Sequence, residues 1–542
     1  MRASALSSLM LLSTVTRLAA LPGQARYAFS HVRCVPLVGP RGAAAGRSAI
    51  SVGLPQVACA SLGGRAWAGM RGMSAWKGGK GKTRTHMQAA VGEDTDLWAD
   101  GDATFAALGL DAGLVGALDK LGFARPTRIQ AATLPAILEG RDVVMGAETG
   151  SGKTLAYTLP VLQRVLAESA DWDRRPEVLM LVPNQELARQ VTSVISSVTA
   201  TDEALAVPVT MLAGSAGLSK DGSCAVLVAT PSAILRNTDP YYLEQVHTAI
   251  IDEADMLLDG GFLRDVTRII DFLCPRVSNS AVRRLAKEGK TAEDGLADLP
   301  RQPAQVIFAA ATLPDWKGDK VKSVVRVLRK RFPDAEHIST QQLHKQSRAA
   351  SHAWLDLGEK STPEDAHAAV LELLRGERRG LRTMVFCNTV RDATEAHLFL
   401  KEEGFEGALL LHKEVPPAAR AGALAKLATL PSLDADAIEN GEWILVCTDI
   451  AARGIDIPDV KHVIQLQFAT NAVTHLHRVG RTARAGSEGG HVTNLIDDSS
   501  RAVAEAIKEE AGDGEPIAPV FSRNRGFRRR FKRYGTGKAE LD

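Results

Sequence analysis

Acidic residues are missing from the first 92 positions, where no Asp or Glu precedes Glu93. The same stretch carries Arg2, Arg17, Arg26, Arg33, Arg41, Arg47, Arg65 and Arg71 among many Ala, Ser and Gly. An Arg-rich, Ser-containing, acid-free segment has the composition of an organelle transit peptide. A disordered basic arm that holds a polyanion has the same composition, so both readings stay open. Long apolar runs are also lacking. The run from Ala5 to Val15 falls well short of the roughly 20 residues that cross a bilayer, and no membrane partner is expected. Cysteine pairs are lacking too: Cys34, Cys59, Cys224, Cys274, Cys387 and Cys447 form no CxxC. That argues against a zinc ribbon or a disulfide framework and leaves small buried hydrophobes. Finally, there is no large charge imbalance. The net charge of +2 says nothing about a polyanionic partner, but both ends are basic and the middle offsets them.

With 542 residues the chain exceeds what one hydrophobic core usually serves, so two or more domains are expected. Its 45% hydrophobic and 24% charged residues are ordinary for a soluble globular protein. Short apolar runs at Arg141–Met145, Val178–Val182, Ala225–Ala229, Ala249–Ile251 and Val306–Phe308 read as buried strands, each followed by a loop and a helical pattern. Such alternation predicts an α/β fold with a parallel sheet and helices on both faces. It restarts with Thr383–Phe386, Ala408–Leu411, Trp443–Val446, Val463–Ile464 and His491–Ile496. Two similar domains in tandem are therefore expected, with a polar, aperiodic joint near Phe332–Arg348. Residues 276–302 read as a polar surface insert of the first domain. The tail Phe521–Tyr534 is strongly basic with interleaved aromatics, and order is expected to fade after Gly512.

Ala147, Glu148, Thr149, Gly150, Ser151, Gly152, Lys153 and Thr154 follow a predicted strand and precede an apolar helical run. This is the setting of a phosphate loop: glycines let backbone N–H groups face phosphates, and the helix N-terminus adds a favourable dipole. Lys153 can reach β- and γ-phosphates and the Thr154 hydroxyl can bind Mg²⁺. Ala147 stands where the strict G-x-x-x-x-G-K-T pattern has its first glycine. Downstream, Ala249-Ile-Ile-Asp-Glu-Ala-Asp255 places acids at the end of a buried strand. Asp252 can hold Mg²⁺ through water, beside Thr154, and Glu253 can orient or deprotonate an attacking water.

From about Phe105 to Asp498 these motifs together resemble a DEAD-box RNA helicase, a family of superfamily 2. The family's N-terminal signature is matched by Phe105, Gly122-Phe123 and Pro126-Thr-Arg-Ile-Gln130. The resemblance implies that Gln130 reads the adenine edge and Phe105 packs on the base, giving ATP as cofactor with Mg²⁺. An amide matched to adenine would be left unpaired by guanine, at a cost of about 1–3 kcal/mol. Pro183-Asn184-Gln-Glu-Leu-Ala188 and Thr230-Pro231-Ser-Ala233 resemble the first RNA-contacting motifs, with Gln185 and Ala233 where arginines are usual. Gly214 matches a glycine that lets RNA backbone approach. Ala310, Ala311 and Thr312 stand for the motif that couples ATP state to RNA remodelling, without its usual serine.

In the second half, Val385-Phe-Cys-Asn388 and Leu411-His-Lys413 with Arg420 resemble RNA-facing segments. Val446–Asp456 resembles the fifth motif, which implies Thr448 on RNA and Asp456 on the ATP ribose. His477-Arg-Val-Gly-Arg-Thr-Ala-Arg484 resembles the sixth. Arg481 and Arg484 fit arginine fingers, planar forks that stabilise charge on the transferring phosphoryl, an effect worth about 10³–10⁵ in rate. The resemblance implies two RecA-like domains, 93–338 and 349–511, flanked by a disordered basic extension at 1–92 and a basic RNA-binding tail at 512–542. It implies RNA-dependent ATP hydrolysis at a site split between domains, cooperative ATP and RNA binding, and mainly sugar–phosphate contacts that distinguish RNA from DNA by the 2′-hydroxyl. Ala310–Pro314 and Gln341–Lys345 are similar to organellar members that serve ribosome assembly. The expected setting is thus an organelle matrix, mitochondrial by the Arg-rich N-terminus or plastidic, with ribosomal RNA and assembly proteins as partners of a monomer. An ATP-gated RNA clamp and a DNA helicase are the competing readings.

Overall fold

The computed structural model describes His86–Gln88 and most of the chain from Leu97 to Gly512. Outside the described residues lie 1–85, 89–96, 100, 102, 169–171, 173–174, 215–221, 259, 276–302, 314–323, 341–342, 344–349, 430–434, 450–456, 458, 484–488 and 513–542. The basic N-terminal segment (apart from three residues), the polar insert and the basic tail therefore fall outside, as do Asp456 and Arg484. Among the described residues no helix is long and apolar enough to cross a membrane.

The first lobe is built on strands β2 (Val143–Gly146), β3 (Val178–Leu181), β4 (Val209–Leu212), β5 (Val226–Ala229), β6 (Thr248–Ile251), β7 (Gln305–Ala310) and β8 (Glu336–Ser339). Their order is β4-β5-β3-β6-β7-β2-β8, and every pairing is parallel. Every residue of β2, β3, β5 and β6 is buried. Along β3, Val178 and Met180 join one apolar cluster while Leu179 and Leu181 join another. Both faces of the sheet are thus covered by helices, which is why these strands read as unbroken apolar runs.

The second lobe repeats the plan with β9 (Ala350–Asp356), β10 (Thr383–Cys387), β11 (Leu409–Leu411), β12 (Ile444–Thr448), β13 (His462–Gln465) and β14 (Gly490–Ile496). With β1 (His86–Gln88) added at one edge, the order is β1-β9-β14-β13-β10-β12-β11. Met384 and Phe386 face one cluster, Val385 and Cys387 the other. Two parallel-sheet lobes with helices on both faces are what the alternation of apolar runs predicts.

Three strands escape that reading, and all lie toward a sheet edge. β4 is only half-buried over its first three residues, and β8 alternates half-buried with exposed residues. An edge strand has one hydrogen-bonded neighbour and more solvent, so its sequence carries polar residues. β8 falls inside the segment read as the joint, whose Phe332 is itself buried in the first-lobe core. The connection between lobes therefore runs from Thr340 to Ala350. β9, with Ser351 and His352, also lacks a continuous apolar run. Three residues of the N-terminal extension form β1 (His86–Gln88), which pairs antiparallel with β9 and is the one departure from parallel pairing among the described strands.

Candidate functional site

β2 delivers the chain into the phosphate loop, where the Ala147 N–H donates to the carbonyl of Ala310 at 3.2 Å. Gly150 and Gly152 take φ of 85° and 88°, a left-handed backbone that glycine adopts without steric cost. The helix Lys153–Glu168 begins directly after, so its N-terminal N–H groups face the loop. Lys153 Nζ donates to the carbonyls of Ala147 (2.7 Å) and Glu148 (2.8 Å), and burial pushes its pKa down against the pull of Glu253, Asp252 and Glu148. The Ser151 hydroxyl donates to the Glu148 carbonyl at 2.7 Å.

Gln130 closes the loop from above. Its Oε1 accepts the Thr127 N–H at 2.9 Å, and its Nε2 donates to the Gly152 carbonyl at 3.2 Å. This is the reciprocal half of a capping box at the start of the helix Arg128–Leu138. The side chain is buried rather than lying on a helix surface, and it fastens that helix to the phosphate loop. An amide end has two bonding positions, so one on each end remains for a base. Phe105 is 3% exposed and packs in the first-lobe core, so little of its surface is left for a base.

At the end of β6 the acids separate into three roles. Asp252 Oδ2 accepts the Tyr157 hydroxyl at 2.8 Å and Oδ1 accepts the Glu253 N–H at 2.9 Å. Burial, then the charge of Glu253, push its pKa up to about 6. Glu253 is held at φ 50°, ψ 47°, a strained left-handed conformation for a residue with a side chain. Its buried Oε2 accepts no hydrogen bond and stands 4.0 Å from His477 Nδ1. Asp255 Oδ2 accepts from the Thr312 hydroxyl and lies 2.9 Å from His477 Nε2. Thr154 sits on the first helical turn, sharing the Tyr157 hydroxyl. Crowded carboxylates with a hydroxyl beside them offer the oxygen donors that suit Mg²⁺.

His477 comes from the other lobe, on the helix Ala472–Val479. The next residues complete the junction: the Thr149 hydroxyl donates to the Gly480 carbonyl at 2.9 Å. Arg481 follows, 4% exposed, its Nε donating to the His477 carbonyl at 3.0 Å. The lobes therefore meet at the phosphate loop and the acids. Lys153, Thr154, Asp252 and Glu253 stand on one side and Arg481 on the other. Asp255 and His477 received no role from the sequence, although they end one motif and open another. Arg478 is a scaffold residue, bonded to Asp449 (2.6 and 2.8 Å), Asn388 (2.6 Å) and the Gln467 carbonyl (2.7 Å).

The residues assigned to RNA lie where β3, β4, β5 and β12 end. Pro183 and Asn184 follow β3, and the Asn184 side chain caps a helix by accepting the Leu187 N–H at 2.8 Å. Gly214 has φ 75° and carries Gln185 against its open face. Thr230 and Pro231 start the helix Pro231–Asn237, whose Ala233 is buried in the core. An arginine at that position would have to bury its charge. Arg236, exposed one turn on, donates to the Gly214 carbonyl at 3.3 Å. Thr448 lines a cleft of about 920 Å³ with Asn388, Lys413, Asp449 and Asn471. Arg420 is placed differently from expectation: it pairs with Glu186 of the first lobe at 2.9 Å, both side chains largely buried. A buried glutamate needs a counter-charge, and Arg420 supplies it.

A phosphate loop on one parallel-sheet lobe, closed by a histidine- and arginine-bearing helix from a second, defines a two-lobed nucleotide-dependent motor. Residues 127–319 match the DEAD/DEAH box helicase family and residues 365–486 the helicase conserved C-terminal domain. The chain is 33% identical over 526 residues to DEAD-box ATP-dependent RNA helicase 22 of Arabidopsis thaliana, covering 83% of this chain and 86% of that protein. It is 31% identical over 393 residues to the ATP-dependent rRNA helicase rrp3 of Aspergillus oryzae, covering 71% and 72%. Its fold is similar to that of S. cerevisiae Dbp5 bound to RNA and ADP BeF3, with a TM-score of 0.57 at 24% identity, over 76% of this chain and 94% of that one. The chain belongs to the DEAD-box family of ATP-dependent RNA helicases. It is an enzyme of the RNA-stimulated ATPase class.

Proposed function

We propose that the chain hydrolyses ATP to ADP and phosphate when RNA draws its lobes together, and that it locally unwinds or remodels organellar ribosomal RNA during ribosome assembly. The observation that carries the first part is the junction at Asp255, where Thr312 of the coupling motif and His477 of the other lobe share one carboxylate. In this reading Glu253 positions the attacking water, Lys153 holds the phosphates, and Arg481 with Arg484 stabilises the charge that develops. Thr154 and Asp252 would hold Mg²⁺, which neutralises phosphate charge. Gln130 and Asp456 select adenine and ribose, while Gly214, Thr230 and Thr448 hold RNA backbone.

The ribosomal target is supported by the name of the rrp3 relative. The organelle is supported by the acid-free, Arg-rich N-terminus, with the mitochondrion favoured over the plastid. The tail after Gly512 adds phosphate-neutralising charge and aromatic stacking, so its deletion should flatten the salt dependence of RNA binding. The chain acts as a monomer with domains at 93–338 and 349–511.

The test is turnover. Lys153→Ala and Glu253→Gln should abolish RNA-stimulated ATPase activity while both lobes stay folded, and unchanged turnover sinks the site. The competing reading, an ATP-gated RNA clamp, is ranked below the helicase, although Ala310 offers no hydroxyl for coupling. Duplex release under single-turnover conditions, set beside ATPase rate on the same RNA, separates the two.

A further inference from the structure

We infer that the segment joining the lobes acts directly on the phosphate loop, with Thr340 as a positioning residue that holds Glu148. The inference rests on the ATPase reading of this site and adds a route by which lobe movement reaches the nucleotide.

The topology brings the two together. β8 is the parallel neighbour of β2, with Gly146 paired to Ser339. The chain therefore leaves both strands at the same end of the sheet: β2 enters the phosphate loop and β8 enters the connection to the second lobe. The Thr340 N–H donates to the Gly146 carbonyl at 3.0 Å, extending the ladder one residue into the connection. The Thr340 hydroxyl then donates to Glu148 Oε2 at 2.7 Å.

Glu148 is the hub of the loop. Its carbonyl accepts from Lys153 Nζ at 2.8 Å and from the Ser151 hydroxyl at 2.7 Å, while its side chain is held by the connection. A second contact runs parallel to the first. A Cβ on Gly146 would lie 2.8 Å from a methyl of Leu343 and 2.7 Å from one of Leu313. The strand feeding the loop is thus wedged between the connection and the residue after Thr312. A displacement of Thr340 would be passed to the side chain of Glu148, and through its backbone to Lys153. These hydrogen bonds and methyl contacts are local to the first lobe and distinct from the junction at Asp255.

The experiment measures steady-state ATPase of the full chain, with and without RNA, for wild type, Thr340→Val and Thr340→Ser. Valine keeps the shape and removes the hydroxyl; serine keeps the hydroxyl. Thr340→Val should raise the KM for ATP roughly 5- to 10-fold, leave kcat at saturation within about twofold, and shrink the effect of RNA on the ATP KM. Thr340→Ser should restore all three. Glu148→Ala should raise the KM for ATP at least as far as the valine variant, and the double variant should be no worse than Glu148→Ala alone. The proposal is overturned if Thr340→Val binds ATP and responds to RNA as wild type does, if serine fails as valine does, or if the two substitutions add. A wild-type chain whose turnover RNA does not stimulate would instead sink the reading of the site.

Discussion

His477 Nε2 lies 2.9 Å from Asp255 Oδ2, so a side chain of the second lobe shares one carboxylate with Thr312 of the first. Asp255 Oδ1 meanwhile accepts the Met256 N–H at 3.0 Å, which holds the carboxylate still. His477 Nδ1 stands 4.0 Å from Glu253 Oε2, which has no hydrogen-bond partner. Closure thus does more than bring an arginine close. It assembles the surroundings of Glu253.

If that junction governs turnover, His477→Ala should lower RNA-stimulated ATPase roughly 10- to 100-fold, the size of a lost hydrogen bond to a charged group. Asp255→Asn should do at least as much, because it disturbs Thr312 and His477 together. The double variant should fall short of the sum by about 1–3 kcal/mol. Rates measured at saturating RNA decide it, and strict additivity would make the contact an idle one.

The acidity of Asp252 sets a pH window. Its pKa lies at about 6 against an ordinary 3.8, because burial and then the Glu253 charge disfavour the ionised form. Between those values the folded chain holds a proton that the unfolded chain has released. Stability from this group is therefore greatest at low pH and falls as pH rises through the window. Cation binding needs the ionised form and runs the other way. Mg²⁺-dependent nucleotide affinity should fall about tenfold per pH unit below 6 and level off above about 7. The Tyr157 hydroxyl favours ionisation, so Tyr157→Phe should move the midpoint upward. Calorimetric titration across this range is the check; a flat profile would remove Asp252 from the cation site.

How much of this was legible in the sequence follows from where each constraint acts. β3 and β5 show as apolar runs because both faces of the sheet are covered, whereas β8, Glu336-His-Ile-Ser339, is an edge whose polar residues hide it. Lys153, Asp252 and Glu253 stand out because the phosphate and cation chemistry proposed for them would fix residue types at set distances from a strand end. Asp255 and His477 are 222 residues apart, and their contact depends on how two lobes close, which no local pattern encodes. The capping box of Thr127 and Gln130 was visible at its three-residue spacing, yet the amide reads first as an adenine contact. Arg420 reads as an RNA contact because its partner Glu186 lies in the other lobe.

A single methyl group should block closure. A Cβ on Gly480 would come 2.0 Å from Thr149 Oγ1 and 3.2 Å from the Leu476 carbonyl. Neither lobe alone contains the first clash. Gly480→Ala should therefore leave thermal unfolding of the lobes nearly unchanged while cutting RNA-stimulated ATPase by roughly 100-fold or more, the cost of overpacking a tight contact. Thr149→Ser would not relieve it, since the hydroxyl stays. Fluorescence transfer between dyes on the two lobes, with ATP and RNA present, should report the loss of the compact arrangement. Normal closure in that assay would mean that Thr149 can swing away.

Arg420 and Glu186 allow the two roles of one arginine to be told apart. The pair is 2.9 Å long with side chains 13% and 5% exposed, and breaking a buried pair by removing one partner costs about 3–5 kcal/mol. If Arg420 acts by holding the lobes through Glu186, then Glu186→Gln and Arg420→Ala should reduce RNA-stimulated turnover alike. The exchanged pair, Glu186→Arg with Arg420→Glu, should recover part of it. If Arg420 instead neutralises an RNA phosphate, Arg420→Ala alone should reduce the slope of log affinity against log salt by about 0.7, the value for one contact to a single strand. Glu186→Gln would then leave that slope intact, and the exchanged pair, having put a glutamate on the RNA side, would be the worst of the three variants. The burial of Glu186 favours the first outcome, since a carboxylate that deep in the first lobe has to be matched by a cation whenever the lobes are together.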